Sequence, residues 1–197
     1  MADKITIILG TSNPHKVFEM NKIAKPFDIE FIPLVNENFN PNENGKTFEE
    51  NAKIKALEAA KVSNKGKYFM ADDSGLCVDF LGGGPGVHSA RYAETPLKRI
   101  EKLLFNLKFD SKRDARFVCA LCLVDNEGNI LHTEKGIVKG RIAHSIKGTN
   151  GFGYDPVFIV DGINKTMAEL TEDEKNTLSH RGQALLNMIK WIKSNLN

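Results

Sequence analysis

The chain has 197 residues, 41% of them hydrophobic and 26% charged, with a formal net charge of +2. That is the size of one domain and lacks the basic excess of a surface that coats nucleic acid. No apolar run approaches the roughly 20 residues of a membrane span, so neither nucleic acid nor membrane is expected as a partner. The opening MADKITIILG is too short and too soon strand-like for a signal peptide. The cysteines Cys77, Cys119 and Cys122 are an odd set. Both features point to a reducing, cytoplasmic compartment.

In chain order, KITIILG (4–10) reads as a strand. The loop TSNPHK follows, and VFEMNKIAK then shows helical spacing through Val17, Met20 and Ile23. This is the strand–loop–helix opening of an α/β protein. IEFIPLV (29–35) is a second strand, and residues 47–64 form a helix. Thr47 and Glu50 make a capping box at its start, and its interior is alanine-rich. YFMA is expected to be a strand that ends at Asp72 and Asp73, with Ser74 and Gly75 turning into a further strand, LCVDFL. GGGPGVHSARYA is a glycine-rich loop, and Thr95-Pro96 opens a helix through LKRIEKLLFNL, with proline at the first helical position. RFVCALCLV, the turn DNEGN and ILHTEKGIV form a hairpin. NGFGYDPVFIV is a turn and a strand, TEDEKN a short helical turn, and SHRGQALLNMIKWIKSN the last helix, capped by Ser179. With no repeats and no dividing linker, residues 1–197 read as a single α/β domain with a mixed sheet.

CALC at 119–122 has the look of a metal or redox pair. In a strand, however, period-2 alternation turns the two thiols to opposite faces, which favours two buried small residues. The loop TSNPHK stands where backbone N–H groups and a helix N-terminus favour phosphate. Thr11, Ser12 and Asn13 are short donors and Lys16 supplies charge, but the loop is neither GxGxxG nor a Walker A sequence. An ordinary N-cap with a solvated lysine would look the same. At ~100° per residue, Phe48, Ala52, Ala56 and Ala59 define the apolar face of helix 47–64, and Lys55 falls inside it. Such a lysine either snorkels to water or meets an anion.

Asp72 and Asp73 repel each other unless a cation or water intervenes. With Glu43, from the loop before the helix, they could hold Mg²⁺ together with phosphate oxygens and water. In GFGYDP, Phe152 and Tyr154 lie among glycines beside Asp155; an aromatic there can stack on a base or plug the core. Lys175, His180 and Arg181 gather near the start of the last helix, against the preference of a helix dipole for anions.

In their order along nearly the whole chain, TSNPHK, ENGKTFEENAKIKA, MADDSGL, LGGGPGVHSARY, GFGYDPVF, KTMAEL and SHRGQAL resemble the inosine/xanthosine triphosphate pyrophosphatases, which remove non-standard purine nucleotides. The resemblance implies an elongated α/β domain with a long curved mixed sheet, flanking helices and two lobes around a cleft, and a homodimer. It implies that Thr11, Ser12, Asn13, Pro14, His15 and Lys16 hold a triphosphate, with Lys55 as a further phosphate partner. Glu43 and Asp73 would bind Mg²⁺ with Asp72 in the same metal cluster, and Asp73 would be the catalytic proton acceptor. Ser74 would contact substrate. Phe152, Gly153, Tyr154 and Asp155 would form the nucleotide pocket, with Lys175, His180 and Arg181 on the nucleotide and the last two near the purine 6-oxygen.

The implied reaction is cleavage of ITP, dITP or XTP at the α-phosphorus to a monophosphate and pyrophosphate. Donors at the 6-position would accept a 6-oxo purine and oppose adenine's amino group; guanine would have to be refused from its 2-amino side. Two other readings are a pyrophosphatase for modified pyrimidine triphosphates, which would not need SHRGQA, and a module that binds purine nucleotides without turning them over.

Overall fold

The computed structural model describes residues 4–63, 65–107 and 112–196. Six strands, β1 (Ile5–Leu9), β2 (Ile29–Pro33), β3 (Tyr68–Val78), β4 (Asp114–Asp125), β5 (Ile130–Ile142) and β6 (Phe158–Val160), form one mixed sheet in the order β2-β1-β3-β4-β5-β6. β1 runs parallel to β2 and β3, and β5 antiparallel to β6. The flanking helices are α1 (Pro14–Ala24), α2 (Phe48–Val62), α3 (Pro96–Asn106), α4 (Glu172–Leu178) and α5 (His180–Asn195). This is the mixed α/β sheet expected from βα units and a hairpin. None of the helices among the described residues is long and apolar enough to cross a membrane.

The local signals acted as their chemistry requires. Thr47, Thr95 and Thr171 are N-caps whose side chains accept from the backbone N–H three residues on, and Pro96 occupies the first turn of α3. At Thr171 the capping box is complete, because Glu174 reaches back to the Thr171 N–H. At Thr47 it is not reciprocal. Glu50 Oε2 accepts from Lys46 N at 2.6 Å instead, one residue earlier, tying the preceding loop to α2. Asn64, the last residue of the helix expected there, lies outside the described residues.

Several boundaries differ from expectation; β2, for example, ends at Pro33 rather than at residue 35. α1 begins at Pro14, so Pro14, His15 and Lys16 are its first turn rather than loop. Asn13 makes this possible by accepting the His15 N–H on its side chain, with Pro14 at the first helical position. The larger correction is β3, which is one unbroken strand of 11 residues through Asp72, Asp73, Ser74 and Gly75. No turn is needed, because alternation sends the two carboxylates to opposite faces, where each meets its own cation. Strand structure ends at Val78, and Asp79–Leu81 is a short 3₁₀ turn.

By contacts the chain divides into two compact units, each assembled from separated stretches. The first holds residues up to Asp73, Cys119–Gly136 and Arg181 onward; the second holds Ser74–Val118 and Ile137–His180. The core of the first packs Ile7, Leu9, Phe31, Met70 and Leu121 with the α5 side chains Leu185, Met188, Ile189 and Ile192. That of the second packs Leu76, Val78, Leu103, Phe117, Val157 and Phe158.

Cys119 and Cys122 are fully buried on β4, the small core residues the alternation implied. Burial pushes the Cys122 thiol up to about 11. At pH 8 an aromatic disulfide reagent is therefore expected to leave both thiols unlabelled in the folded protein. Both should react once urea unfolds it, and rapid native labelling would contradict this packing.

Candidate active site

The first unit gathers Lys16, Glu43, Lys55 and Arg181 around Asp72 and Asp73 in the middle of β3. Asp72 is 2% exposed. Its Oδ1 lies 2.9 Å from Lys16 Nζ of α1, and its Oδ2 3.5 Å from Arg181 Nε of α5. Arg181, itself buried, also donates to Glu19 Oε2 of α1 at 2.5 Å. Burial pushes the Asp72 carboxyl up, but Lys16, Arg181 and Lys55 together outweigh it and hold the group well below the usual carboxylate range. Burial likewise opposes the Arg181 charge, and Asp72 and Glu19 more than restore it. Asp72 is thus an ionised organiser between two helices.

On the other face of β3, Asp73 Oδ1 accepts from Lys55 Nζ at 3.0 Å and Asp73 Oδ2 from Asn51 Nδ2 at 3.2 Å. Lys55 Nζ also reaches Glu43 Oε2 at 3.1 Å. The lysine on the apolar face of α2 therefore meets anions rather than snorkelling out. Burial works against its charge, but Asp72, Asp73 and Glu43 raise its pKa. For Asp73 burial wins over Lys55 and Asn51, so its carboxyl is a stronger base than an ordinary aspartate.

Two carboxylate oxygens thus converge on one cation position, now held by an ammonium group. The donor set of Glu43 and Asp73 is the hard-oxygen kind that Mg²⁺ takes together with phosphates and waters. Among the described residues no group of three acidic, histidine or cysteine side chains is placed to hold one ion; Asp72 faces Lys16 and Arg181.

The loop before α1 is pre-shaped. Thr11 Oγ1 accepts from Asn13 N at 3.1 Å, and Asn13 Oδ1 from His15 N at 3.0 Å. Ser12, Pro14 and His15 are exposed there, while Thr11, Asn13 and Lys16 are half-buried. Ser74, half-buried on β3, follows Asp73 directly but belongs to the second unit.

That second unit holds Phe152, Tyr154, Asp155, Lys175 and His180. Asp155 Oδ2 accepts from Lys175 Nζ at 2.8 Å and from Phe152 N at 2.9 Å. Lys175 Nζ lies 4.6 Å from the centre of the Phe152 ring, a cation–π distance. Gly151 makes the turn possible. Its φ is +76°, and a Cβ there would lie 2.2 Å from Asp155 Oδ2. The two aromatics divide their roles: Tyr154 is a core plug whose hydroxyl donates to Ser89 O at 2.9 Å, whereas Phe152 is half-buried. Gly153, with φ +63° and open space where a Cβ would stand, lets the chain turn between them. The His180 ring stacks on Phe117, centroids 4.8 Å apart and planes 9° from parallel.

Sequence reasoning overlooked Asn51, Glu19 and Ser89. Asn51 was detectable as an amide one turn before Lys55 on the same helix face, and Glu19 stands one turn after Lys16 on α1. Ser89, which accepts from Leu76 N and whose carbonyl holds Tyr154, left no such signal.

These two clusters lie in a chain whose residues 7–191 match the family model of the Ham1 family. It is 49% identical over 185 residues to a dITP/XTP pyrophosphatase of Exiguobacterium sp., covering 91% of this chain and 92% of the relative. It is 47% identical over 194 residues to the dITP/XTP pyrophosphatase of Bacillus subtilis, covering 95% and 96%. The Staphylococcus aureus Ham1 protein superposes with a TM-score of 0.85 at 38% identity, covering 96% of this chain and 98% of that one. A Coxiella burnetii HAM1 protein gives 0.83 at 40% identity, covering 96% and 99%. The chain belongs to the Ham1 family.

Proposed function

We propose that this chain hydrolyses dITP, ITP and XTP at the α-phosphorus, releasing pyrophosphate and leaving the nucleoside monophosphate, and so cleanses the nucleotide pool. The observation that carries the reading is the convergence of Glu43 and Asp73 on one cation, the Lys55 ammonium, in a chain whose relatives bear that name. The first unit would take the triphosphate, through the 11–16 loop, Lys16 and Lys55. A divalent ion held by Glu43 and Asp73, Mg²⁺ in this reading, would supply Lewis-acid neutralisation of phosphate charge.

Lys55 and Lys16 stabilise the charge that collects on the departing pyrophosphate. Asp73 orients the attacking water and takes its proton on a carboxylate oxygen as the bond from the α-phosphorus to its bridging oxygen breaks. Asp72 holds Lys16 and Arg181 in place. Phe152 offers a ring face to the base, Lys175 is set by Asp155 and Phe152, and His180 and Arg181 are the donors for a purine 6-oxygen. Ser74, Gly153 and Tyr154 complete the nucleotide contacts. The reading takes residues 1–197 as one functional domain, working as a cytoplasmic homodimer.

The test is a panel of dITP, ITP, XTP, dATP, dGTP and dUTP with and without Mg²⁺, with products separated by ion exchange. Pyrophosphate and monophosphate are expected from the first three, with at least roughly a hundredfold lower kcat/KM for dATP, as a site built to pair one hydrogen-bonding pattern allows. Orthophosphate as the direct product would overturn cleavage at that bond. Preference for dUTP would favour a pyrimidine enzyme, and unchanged substrate throughout would leave a binding module.

A further inference from the structure

The functional reading gives Asn51 no role, yet Asn51 is fully buried in the first turn of α2 and touches both halves of the acidic pair's support. Its Oδ1 accepts from Gly45 N at 2.9 Å, two residues beyond Glu43. Its Nδ2 donates to Asp73 Oδ2 at 3.2 Å. The amide has only one sensible orientation, since the backbone N–H needs an acceptor and the carboxylate a donor. Loop and strand are thus pinned to the same rigid helix, one turn before Lys55, which bridges the same two segments.

We propose that Asn51 is a positioning residue that fixes the loop carrying Glu43 against Asp73, so that the two carboxylates present one pre-set divalent-cation site. The inference rests on the proposed function. It separates two jobs that one amide performs: the acceptor holds the loop, and the donor aims Asp73. A group that orients a ligand without touching the ion typically changes metal affinity or activity by about 10–100-fold when removed.

Two variants address the two bonds. Asn51→Asp keeps an acceptor for Gly45 N–H but replaces the donor with a second carboxylate oxygen facing Asp73. Gly45→Ala leaves Asn51 intact and disturbs the loop side, because its Cβ would lie 2.7 Å from Asn51 Oδ1 and 2.7 Å from Glu50 Cβ. Each is measured by steady-state hydrolysis of dITP, by melting temperature, and by calorimetric titration of Mn²⁺ in the presence of a non-hydrolysable dITP analogue. For Asn51→Asp, kcat is expected to fall about a hundredfold with KM for dITP within about threefold, while the added carboxylate is not expected to weaken Mn²⁺ binding. For Gly45→Ala, Mn²⁺ affinity is expected to fall about tenfold in protein that remains folded.

Wild-type-like Mn²⁺ affinity in Gly45→Ala overturns the proposal, as does a loss of kcat in Asn51→Asp that merely follows its folded fraction. If Asn51→Asp fails to fold, the Gly45→Ala titration decides alone. A wild-type protein inert towards dITP would count against the functional reading instead, and the Mn²⁺ titration would still judge Asn51.

Discussion

Asp73→Asn is expected to lower kcat for dITP by about a thousandfold, within the range that a positioned general base contributes. The change is nearly isosteric. Its carbonyl oxygen can still accept from Lys55 Nζ, and the fold of β3 should survive. What disappears is the anion. Burial outweighs the attraction of Lys55 and Asn51 and makes Asp73 a better proton acceptor than a solvated aspartate, and an amide accepts no proton at neutral pH. The phosphate contacts proposed for Lys16 and Lys55 would remain, so nucleotide affinity should change far less than turnover. Steady-state kinetics with calorimetric binding of a non-hydrolysable analogue separates the two. Retention of more than about a tenth of wild-type kcat would remove Asp73 from the chemistry.

Asp72→Asn is expected to act on stability first. It strips the counter-charge from Lys16 and Arg181 in a site that is almost dry. Breaking a buried ion pair by deleting one partner costs about 3–5 kcal/mol, and about 3 kcal/mol in a chain of this size is about 6–12 °C in Tm. The pH dependence has a definite sign. The folded carboxyl is held below its unfolded value by Lys16 and Arg181 despite burial. Its contribution is therefore complete above the unfolded carboxylate range, about pH 4, and fades as pH falls through the lower folded value. Wild-type urea stability should decline below about pH 4, and the Asp72→Asn profile should be flatter there. Equal slopes for the two proteins would contradict the assigned charge state.

The contrast between these neighbours shows what a sequence can and cannot disclose. α/β alternation, the threonine starts of α2 and α3, and the unusual place of Lys55 on an apolar helix face were legible, because each depends on residues within one or two turns. The continuity of β3 was not. Two adjacent carboxylates look like a strand end until their cations are known, and those come from residues 16, 55 and 181. Arg181 looks like a misplaced charge at a helix start. Its partner Glu19 is 162 residues away in the chain, and no periodicity links them. In the sequence, Glu43, Asp72 and Asp73 look alike; packing sets Asp72 against Lys16 and Arg181 and sets Asp73 against the Lys55 that Glu43 shares. In GFGYDP the glycines announce a turn, but only the path of the core distinguishes Tyr154 as the plug from Phe152 as the half-exposed ring.

The central claim is that Glu43 and Asp73 form one cation-binding pair beside a triphosphate. A crystal structure with a non-hydrolysable dITP analogue and Mn²⁺, with the metal located by anomalous scattering, tests it most directly. One ion bound by both carboxylates is expected, with the Lys55 ammonium moved onto phosphate oxygens. An ion bound elsewhere, with Lys55 still bridging Glu43 and Asp73, would contradict it.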